Sequence, residues 1–401
     1  VKLKQSILAS LLIAPFVTAQ EESFLERGKL LGDVNGHRSA AENKGIKLDA
    51  EYTSVYQGAA STDESGDNFG RFDIFASFDT EKLGLWKGGS FHTQMQAHHG
   101  QSNDFDYLGT PYIAPNTAGF MGEDLFLSSL YYLHQFESAG LMIGKIDAFE
   151  LLKNADFYGG AGRYGFMNLA LAAPPSGVVP PAFLGALVNW RSESINWTFM
   201  LFDPKDRYTD SGFSDPFANG LNMSLTASHT RDIAGRKSNI SLSGTYSTSE
   251  GRDLSNPTDT QAISSGKYNL RVQASHNIYQ SETDPSLAWG VYMRAAVADG
   301  NPNALNGTFS AGIGGNALLA SRANDQWGVG YFYNDISDDF QSAIKQQNAN
   351  FELADEQGVE AYYSYALTPA VSITTDIQFI KPAVNHDDTN ILMGIRSNIR
   401  F

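Results

Sequence analysis

The chain has 401 residues and no cysteine. That excludes a disulfide scaffold, a thiolate metal site and a cysteine nucleophile, and it suits a chain that crosses an oxidising compartment unfolded. No apolar run reaches the roughly 18 residues of a membrane-spanning helix, so a helical membrane protein is excluded too. Lysine and arginine are few and scattered, and the formal net charge is −16; nucleic acid is therefore not an expected partner. No repeat of roughly 20–50 residues argues for a propeller or solenoid. A nucleophile elbow is missing, and no His–Ser pair is set by spacing. His134 and His229 are thus the only seeds of an outer-membrane lipase or protease reading.

What is present is alternation. Phe401, Ile399, Ser397, Ile395, Met393 and Ile391 fall on one side of the last stretch, and Arg400, Asn398, Arg396, Gly394 and Leu392 on the other. A period of two is the mark of a strand with unlike faces. Its final aromatic is the ending expected of an outer-membrane barrel strand. Val371, Ile373, Thr375, Ile377 and Phe379 alternate in the same way with Ser372, Thr374, Asp376 and Gln378, and the segment from Val359 to Leu367 follows suit. Apolar residues make up 42% of the chain, too many for disorder, yet mean hydropathy is −0.27. A barrel reconciles the two, because it spans lipid with only every second residue apolar.

The pattern predicts an all-β fold, a transmembrane antiparallel β-barrel of sixteen strands. Strands are expected at Ile46–Gln57, Phe69–Asp79, Gly89–His98, Leu125–Phe136, Leu141–Asp147, Phe183–Arg191, Ile195–Phe202 and Leu221–Arg231. Further strands follow at Ser238–Thr248, Lys267–Tyr279, Leu287–Ala298, Gly307–Asn316 and Trp327–Asn334, and then the three at the end. Short connections (Asp232–Lys237, Ser281–Ser286) alternate with long ones (Pro204–Asn219, Glu250–Gly266, Asp335–Gln357), as in bacterial barrels with periplasmic turns and external loops. Upstream, Lys2 and Lys4 precede the apolar stretch Ile7–Phe16, and Val17-Thr18-Ala19 ends in a small residue. Residues 1–19 therefore read as a secretory signal peptide, an ordinary N-terminal core helix being the alternative. Residues 20–45 read as a weakly helical periplasmic segment lying against the barrel end, and 46–401 as the barrel.

Several short motifs resemble the carbohydrate-selective porins of the OprB type. Leu31-Gly32-Asp33, Gly36-His37-Arg38 and Lys44-Gly45-Ile46 are similar to the opening of that family's mature chain, with Val34 and Asn35 where Trp and Gly are usual. Trp86 to His92 resembles the lead-in to its third strand. Gly144-Lys145-Ile146-Asp147 resembles its Gly-x-x-Asp strand end, with Lys145 where Gln is common. Phe166-Met167-Asn168 and Pro174-Pro175-Ser176-Gly177 resemble its third-loop motifs, and Leu367-Thr368-Pro369 with Asp376, Gln378 and Pro382 its final hairpin. The resemblance implies a sixteen-stranded barrel of the Gram-negative outer membrane that passes sugars by diffusion, its pore narrowed by inward-folded loops.

A sugar is a ring of hydroxyls with an apolar C–H face, so a selective passage needs planar donors, carboxylate or amide acceptors and an aromatic wall, and it must bind weakly to conduct. The long third loop, about residues 148–182, carries Lys153, Asn154, Asp156, Tyr158, Arg163, Tyr164 and Asn168 among glycines. Arg163 can donate a fork to vicinal hydroxyls, and Tyr158 or Tyr164 can offer a ring face. An ordinary surface loop with solvated charges is the other reading. Gly159 to Gly165 is not a phosphate cradle, because it lacks the Lys-Ser/Thr ending and the following helix.

From the wall, Arg71, Asp73, His92, Gln94, Gln96, Lys145 and Asp147 are expected to project inward. There they either line the pore or pair with one another across strands. His98, His99, Asp104 and Asp106 lack metal-site spacing, and neither metal nor cofactor is expected. Asp335, Asp338 and Asp339 read as solvated, or as groups bridging Ca²⁺ or lipopolysaccharide. Expected partners are mono- or oligosaccharides in transit, outer-membrane lipid and lipopolysaccharide, for a monomer or a homotrimer. A general or organic-acid porin on the same barrel is the main alternative, a soluble secreted β protein a further one.

Overall fold

The computed structural model describes residues 23–60, 66–100, 114–119, 125–256, 258–318, 322–349, 352–384 and 388–401. Among them sixteen strands form one closed antiparallel barrel in which each strand pairs with its sequence neighbours and the last returns to the first. They are β1 (Ile46–Ala59), β2 (Asp67–Asp79), β3 (Gly89–Gly100), β4 (Phe126–Gln135), β5 (Ala139–Asp147), β6 (Ala182–Ser192), β7 (Ile195–Phe202) and β8 (Asn222–Ile233). The second half comprises β9 (Arg236–Arg252), β10 (Ile263–Gln280), β11 (Ala288–Ala298), β12 (Leu305–Ala317), β13 (Arg322–Ile336), β14 (Glu356–Thr368), β15 (Val371–Lys381) and β16 (Asn390–Arg400). The seam runs from Glu51 opposite Arg400 to Ala59 opposite Leu392. Closure leaves no strand edge, which is what lets a sheet sit in hydrocarbon with its backbone groups satisfied.

The faces divide as the alternation predicts. On β16, Met393 and Ile395 are 53% and 54% exposed on the outside, while Leu392 and Arg396 on either side of them are buried. Leu242, Tyr246 and Leu270 continue this outward apolar band on β9 and β10. Aromatic pairs sit at the turn end: the indoles of Trp190 and Trp197 stack 6.1 Å apart beside the β6–β7 turn, and Trp289 lies 6.1 Å from Trp327. Amphipathic rings at that level suit a membrane interface.

Two regions differ from expectation. β9 and β10 run further out than their apolar residues do, with Arg252 paired to Ile263 and Glu250 to Ser265. Beyond the hydrocarbon a ladder needs only backbone partners, so polar residues there continue the hairpin. The loop after β13 holds a helix, α4 (Asp338–Gln347), whose Ser337 hydroxyl accepts the Phe340 N–H at 3.3 Å. Phe340 and Ile344 pack on Leu305, Ile336, Leu353 and Ala383.

At the turn end, a short helix α1 (His37–Asn43) and the residues before it pack against the barrel rim. Leu30 N–H donates to the Arg400 carbonyl at 2.7 Å, and Arg38 donates to the Leu48 carbonyl at 3.0 Å and to Asp49 at 3.2 Å. The expected signal peptide, residues 1–19, lies outside the described residues.

Candidate functional site: the lumen and its third loop

The connection between β5 and β6 bends into the barrel. Two side-chain caps shape it. Asp147 accepts the Phe149 N–H at 2.9 Å and starts α2 (Ala148–Leu152); Asn168 accepts the Ala170 N–H at 2.9 Å and starts α3 (Leu169–Ala172). Between them the chain doubles back through Gly162 at φ +74°, where a Cβ would meet the Thr117 carbonyl carbon at 2.9 Å, so only glycine fits.

The loop is tied to the wall from β8 round to β2. Glu360 on β14 accepts the Met167 and Asn168 N–H groups at 2.6 and 3.0 Å. Arg396 on β16 donates to the Gly162 and Gly165 carbonyls, and Arg294 on β11 to those of Ala170, Leu171 and Ala173. Asn269 on β10 holds the Ser176 carbonyl and Asn222 on β8 that of Val178. Apolar contact reinforces these bonds: Tyr158, Phe166 and Leu171 from the loop cluster with Tyr292, Phe332, Tyr362, Ile380 and Leu392 from the wall. Gly328 and Gly330 make the room, since a Cβ on either would stand about 3.0 Å from Phe166 or 2.9 Å from Leu171.

Arg163 is the electrostatic centre of the anchorage. It is fully buried; its Nε donates to Glu51 on β1 at 2.8 Å, its Nη1 to Glu150 on α2 at 2.5 Å, and Asp73 on β2 stands 3.8 Å away. Burial alone would raise the Glu150 pKa, but the Arg163 guanidinium beside it wins and holds that carboxyl below the ordinary glutamate range. Asp73 is also gripped by Arg71 through two nitrogens, at 2.8 and 3.0 Å, and by Gln94 at 2.8 Å. Gln96 continues the network to Asp147 at 3.3 Å and to the Tyr208 hydroxyl at 2.7 Å.

Arg71, Asp73, Gln94, Gln96, Asp147 and Arg163 are thus brought together, but as a buried network rather than an open pore lining. The fork expected from Arg163 to a sugar is not available, because Nε and Nη1 are held by carboxylates. Tyr158 offers no face to solute either: it is 5% exposed, with Arg294 4.6 Å above its ring and Tyr292 beside it. Asn168 is buried, donating to Gln378 at 3.0 Å. His92 lies apart, bonded to Ser77 and Ser90 and stacked on Tyr131. Asp156 pairs with Lys237 at 3.0 Å and Ser275 at 3.2 Å, and Tyr164 donates to Asn398 at 2.7 Å.

Lys145 is the clear misplacement. The register sets it opposite Leu130 and Leu184, whereas Gly144 and Met142 sit opposite the inward Tyr131 and Leu133. A bulge between Gln94 and Met95 and φ +141° at Gly144 break the regular alternation nearby. Its ammonium is buried where β5 leaves β4, donating to the carbonyls of Leu127, Tyr208 and Asp210. Of the residues weighed as a metal site, Asp104 and Asp106 lie outside the described residues; His98 bonds Gln96 at 3.1 Å and His99 bonds Tyr52 at 2.9 Å. Among the described residues no cluster of three metal-ligating side chains occurs.

The open space lies on the other side of the loop. A mid-barrel cavity of about 570 Å³ separates it from the wall of β5 to β10. The loop contributes an apolar face of Leu152, Leu169, Pro174, Pro175 and Val179; the wall contributes Thr198, Ser224, Thr226, Thr245, Asn269 and Arg271. Arg271 donates from Nη2 to Ser243 at 3.4 Å, and among the described residues its buried Nε has no partner. None of these wall residues was singled out from sequence. The signal was there in the inward positions of β8 to β10, a run of hydroxyl and amide side chains interrupted by one arginine.

A lipid-facing band around sixteen strands, and a lumen narrowed by an inward third loop, define a porin. Residues 63–401 match the family model described as carbohydrate-selective porin, OprB family. The chain belongs to that family, and it resides in the outer membrane of a Gram-negative bacterium. The high-pH structure of Pseudomonas putida OprB is similar over 95% of this chain and 100% of that one, at 18% identity and a TM-score of 0.80. The low-pH structure of the same porin covers 94% and 99%, at 15% identity and a TM-score of 0.61. A loop-deleted OmpT, an outer membrane protein of Vibrio cholerae, covers 89% and 99% at 12% identity, with a TM-score of 0.53. At these identities the likeness is one of fold. No curated protein sequence matches.

Proposed function

We propose that this porin is a passive channel that prefers neutral saccharides, holding them weakly in the mid-barrel cavity. The observation that carries the reading is the two-sided lining of that cavity. An apolar loop face meets the C–H side of a sugar ring, and a wall of hydroxyls, two amides and one guanidinium meets its hydroxyls. Arg271 takes the role first expected of Arg163: among the described residues its donors are held only by the Ser243 hydroxyl, so a fork to vicinal hydroxyls remains open. Binding stays weak because the other polar partners are neutral, which is what conduction needs. Arg71, Asp73, Gln94, Asp147, Arg163 and Asn168 act by fixing the loop that forms the opposite wall. Residues 1–19 serve as the export signal, and no catalytic step is involved.

The test is single-channel current in a planar bilayer, titrated with sugars. Arg271→Ala is expected to weaken sugar block at least tenfold, the value of about 1.5 kcal/mol for a hydrogen bond to a charged group, while the open channel still conducts. Unchanged block in that variant refutes the assignment. The organic-acid alternative draws on the same guanidinium, since Arg271 has no carboxylate partner among the described residues. It predicts anion preference in a salt gradient, whereas the acidic chain predicts reversal potentials on the cation side.

A further inference from the structure

Beneath the loop, towards the short turns, lies a second cavity of about 610 Å³ that shares no lining residue with the first. The two adjoin on the loop itself: Leu151 and Leu152 line one, Lys153 and Asn154 the other. Its size falls in the ordinary range for small-molecule sites. We infer that this vestibule is a second saccharide subsite on the periplasmic side, in series with the mid-barrel site and resting on the sugar-porin reading of that site.

The lining is of a different kind from the first cavity's. Six side-chain amides border it: Asn154, Asn277, Asn316, Asn324, Gln326 and Asn398. Some are framework. Asn316 donates to the Ala323 carbonyl at 2.8 Å and accepts the Ala288 N–H at 3.2 Å, and Asn398 is held by Thr53 and Tyr164. Among the described residues, Asn154, Asn324 and Gln326 have no hydrogen-bond partner, and all three are exposed to the lumen. A planar amide offers two donors and two acceptor lone pairs, so it can exchange water for a pair of sugar hydroxyls in either sense. Phe157 supplies an aromatic surface, set by contact with Gly290, where a Cβ would stand 2.8 Å from its ring.

The charges at the rim do not favour an ion. Lys237 is paired with Asp156 across the cavity edge at 3.0 Å, Lys153 with Glu150 at 3.8 Å, and Arg400 donates to the Pro369 carbonyl. Among the described residues the unpartnered side-chain amides are neutral and bidentate, which suits polyols. Two weak sites in series let a solute step from one to the other without ever being held tightly, and they make the channel asymmetric.

The experiment uses the full-length porin in oriented single channels, with maltose added on the periplasmic side. Wild type is expected to show two residence times in its block events. The double variant Asn324→Ala/Gln326→Ala should lose one of them, with about a fivefold weaker block from that side for two neutral hydrogen bonds removed, and with open conductance and heat-modifiable gel migration retained. Arg271→Ala should lose the other. If the double variant keeps both residence times, the subsite is refuted. The same holds if wild type shows a single residence time that Arg271→Ala abolishes, an outcome that leaves the mid-barrel reading intact. Absence of any sugar block in wild type removes that reading and the subsite with it.

Discussion

Replacing Arg163 by methionine tests how the constriction is built. The substitution keeps much of the side-chain length and removes the charge between Glu51, Glu150 and Asp73, which lie 2.8, 2.5 and 3.8 Å from the guanidinium. Asp73 retains Arg71 and Gln94 and Glu150 retains Lys153 at 3.8 Å, but Glu51 and Glu150 lose the cation they share. Removing one member of a buried ion pair costs about 3–5 kcal/mol, because the partner stays behind desolvated. Both carboxylates retain some access to lumen water, with side-chain exposures of 11% and 21%, which places the loss at the lower end, about 3 kcal/mol. At about 1.4 kcal/mol per tenfold, the released state of residues 150–165 should rise roughly a hundredfold. The α3 end stays tied by Glu360 and Arg294, so the loop should flicker rather than leave. Single-channel recordings should show excess open-channel noise and a raised mean conductance, while heat-modifiable migration of the barrel is unchanged. Arg163→Lys, which keeps the charge but loses the fork, should fall between. Quiet channels of wild-type conductance in Arg163→Met would show that the carboxylate grip does not hold the loop.

Gly328→Val should displace the loop from its apolar side, because a Cβ there would stand 2.5 Å from Tyr362 and 3.0 Å from Phe166; overpacking of this kind costs about 1–3 kcal/mol. Gly244→Val, on the lipid face with only the flexible end of Leu270 at 3.3 Å, should leave current noise and refolding unaltered. Asp203 at the start of the loop after β7 is pushed up by burial, but the Lys205 N–H, Arg207 and the Phe217 N–H outweigh this and hold its carboxyl below the usual aspartate value. A depressed folded-state pKa contributes stability that is complete above the unfolded value, about 3.9, and is lost as pH falls through the folded one. Limited proteolysis within residues 203–221 should therefore accelerate below about pH 4, and the Asp203→Asn variant should lose that pH dependence.

Much of this architecture is legible without coordinates. The β16 alternation from Ile391 to Arg400 and that of β2 from Phe69 to Asp79 are properties of each strand's own residues, and hydrocarbon on one side with water on the other enforces them at every second position. The third loop stands out by its length and glycines, and its inward role is what the family resemblance implies. Where the alternation is interrupted, as at Gly144 beside the β3–β4 bulge, parity counting put Lys145 on the wrong face. Composition likewise hid the outer parts of β9 and β10, whose pairing needs no apolar residue.

The barrel, its sixteen strands and their two faces can be read from the chain alone. Each of these follows from short-range pattern, because lipid and lumen impose a rule that every strand obeys alone. Which polar groups remain for a solute is set by the folded arrangement. Arg163 meets Glu51 across 112 positions of chain, and Asn168 meets Gln378 across 210. Such long-range partners consume the loop's polar groups and leave its apolar face turned towards Arg271 and the hydroxyls opposite. A residue's chemistry can be read from its name, but whether it is already satisfied depends on neighbours that folding alone supplies.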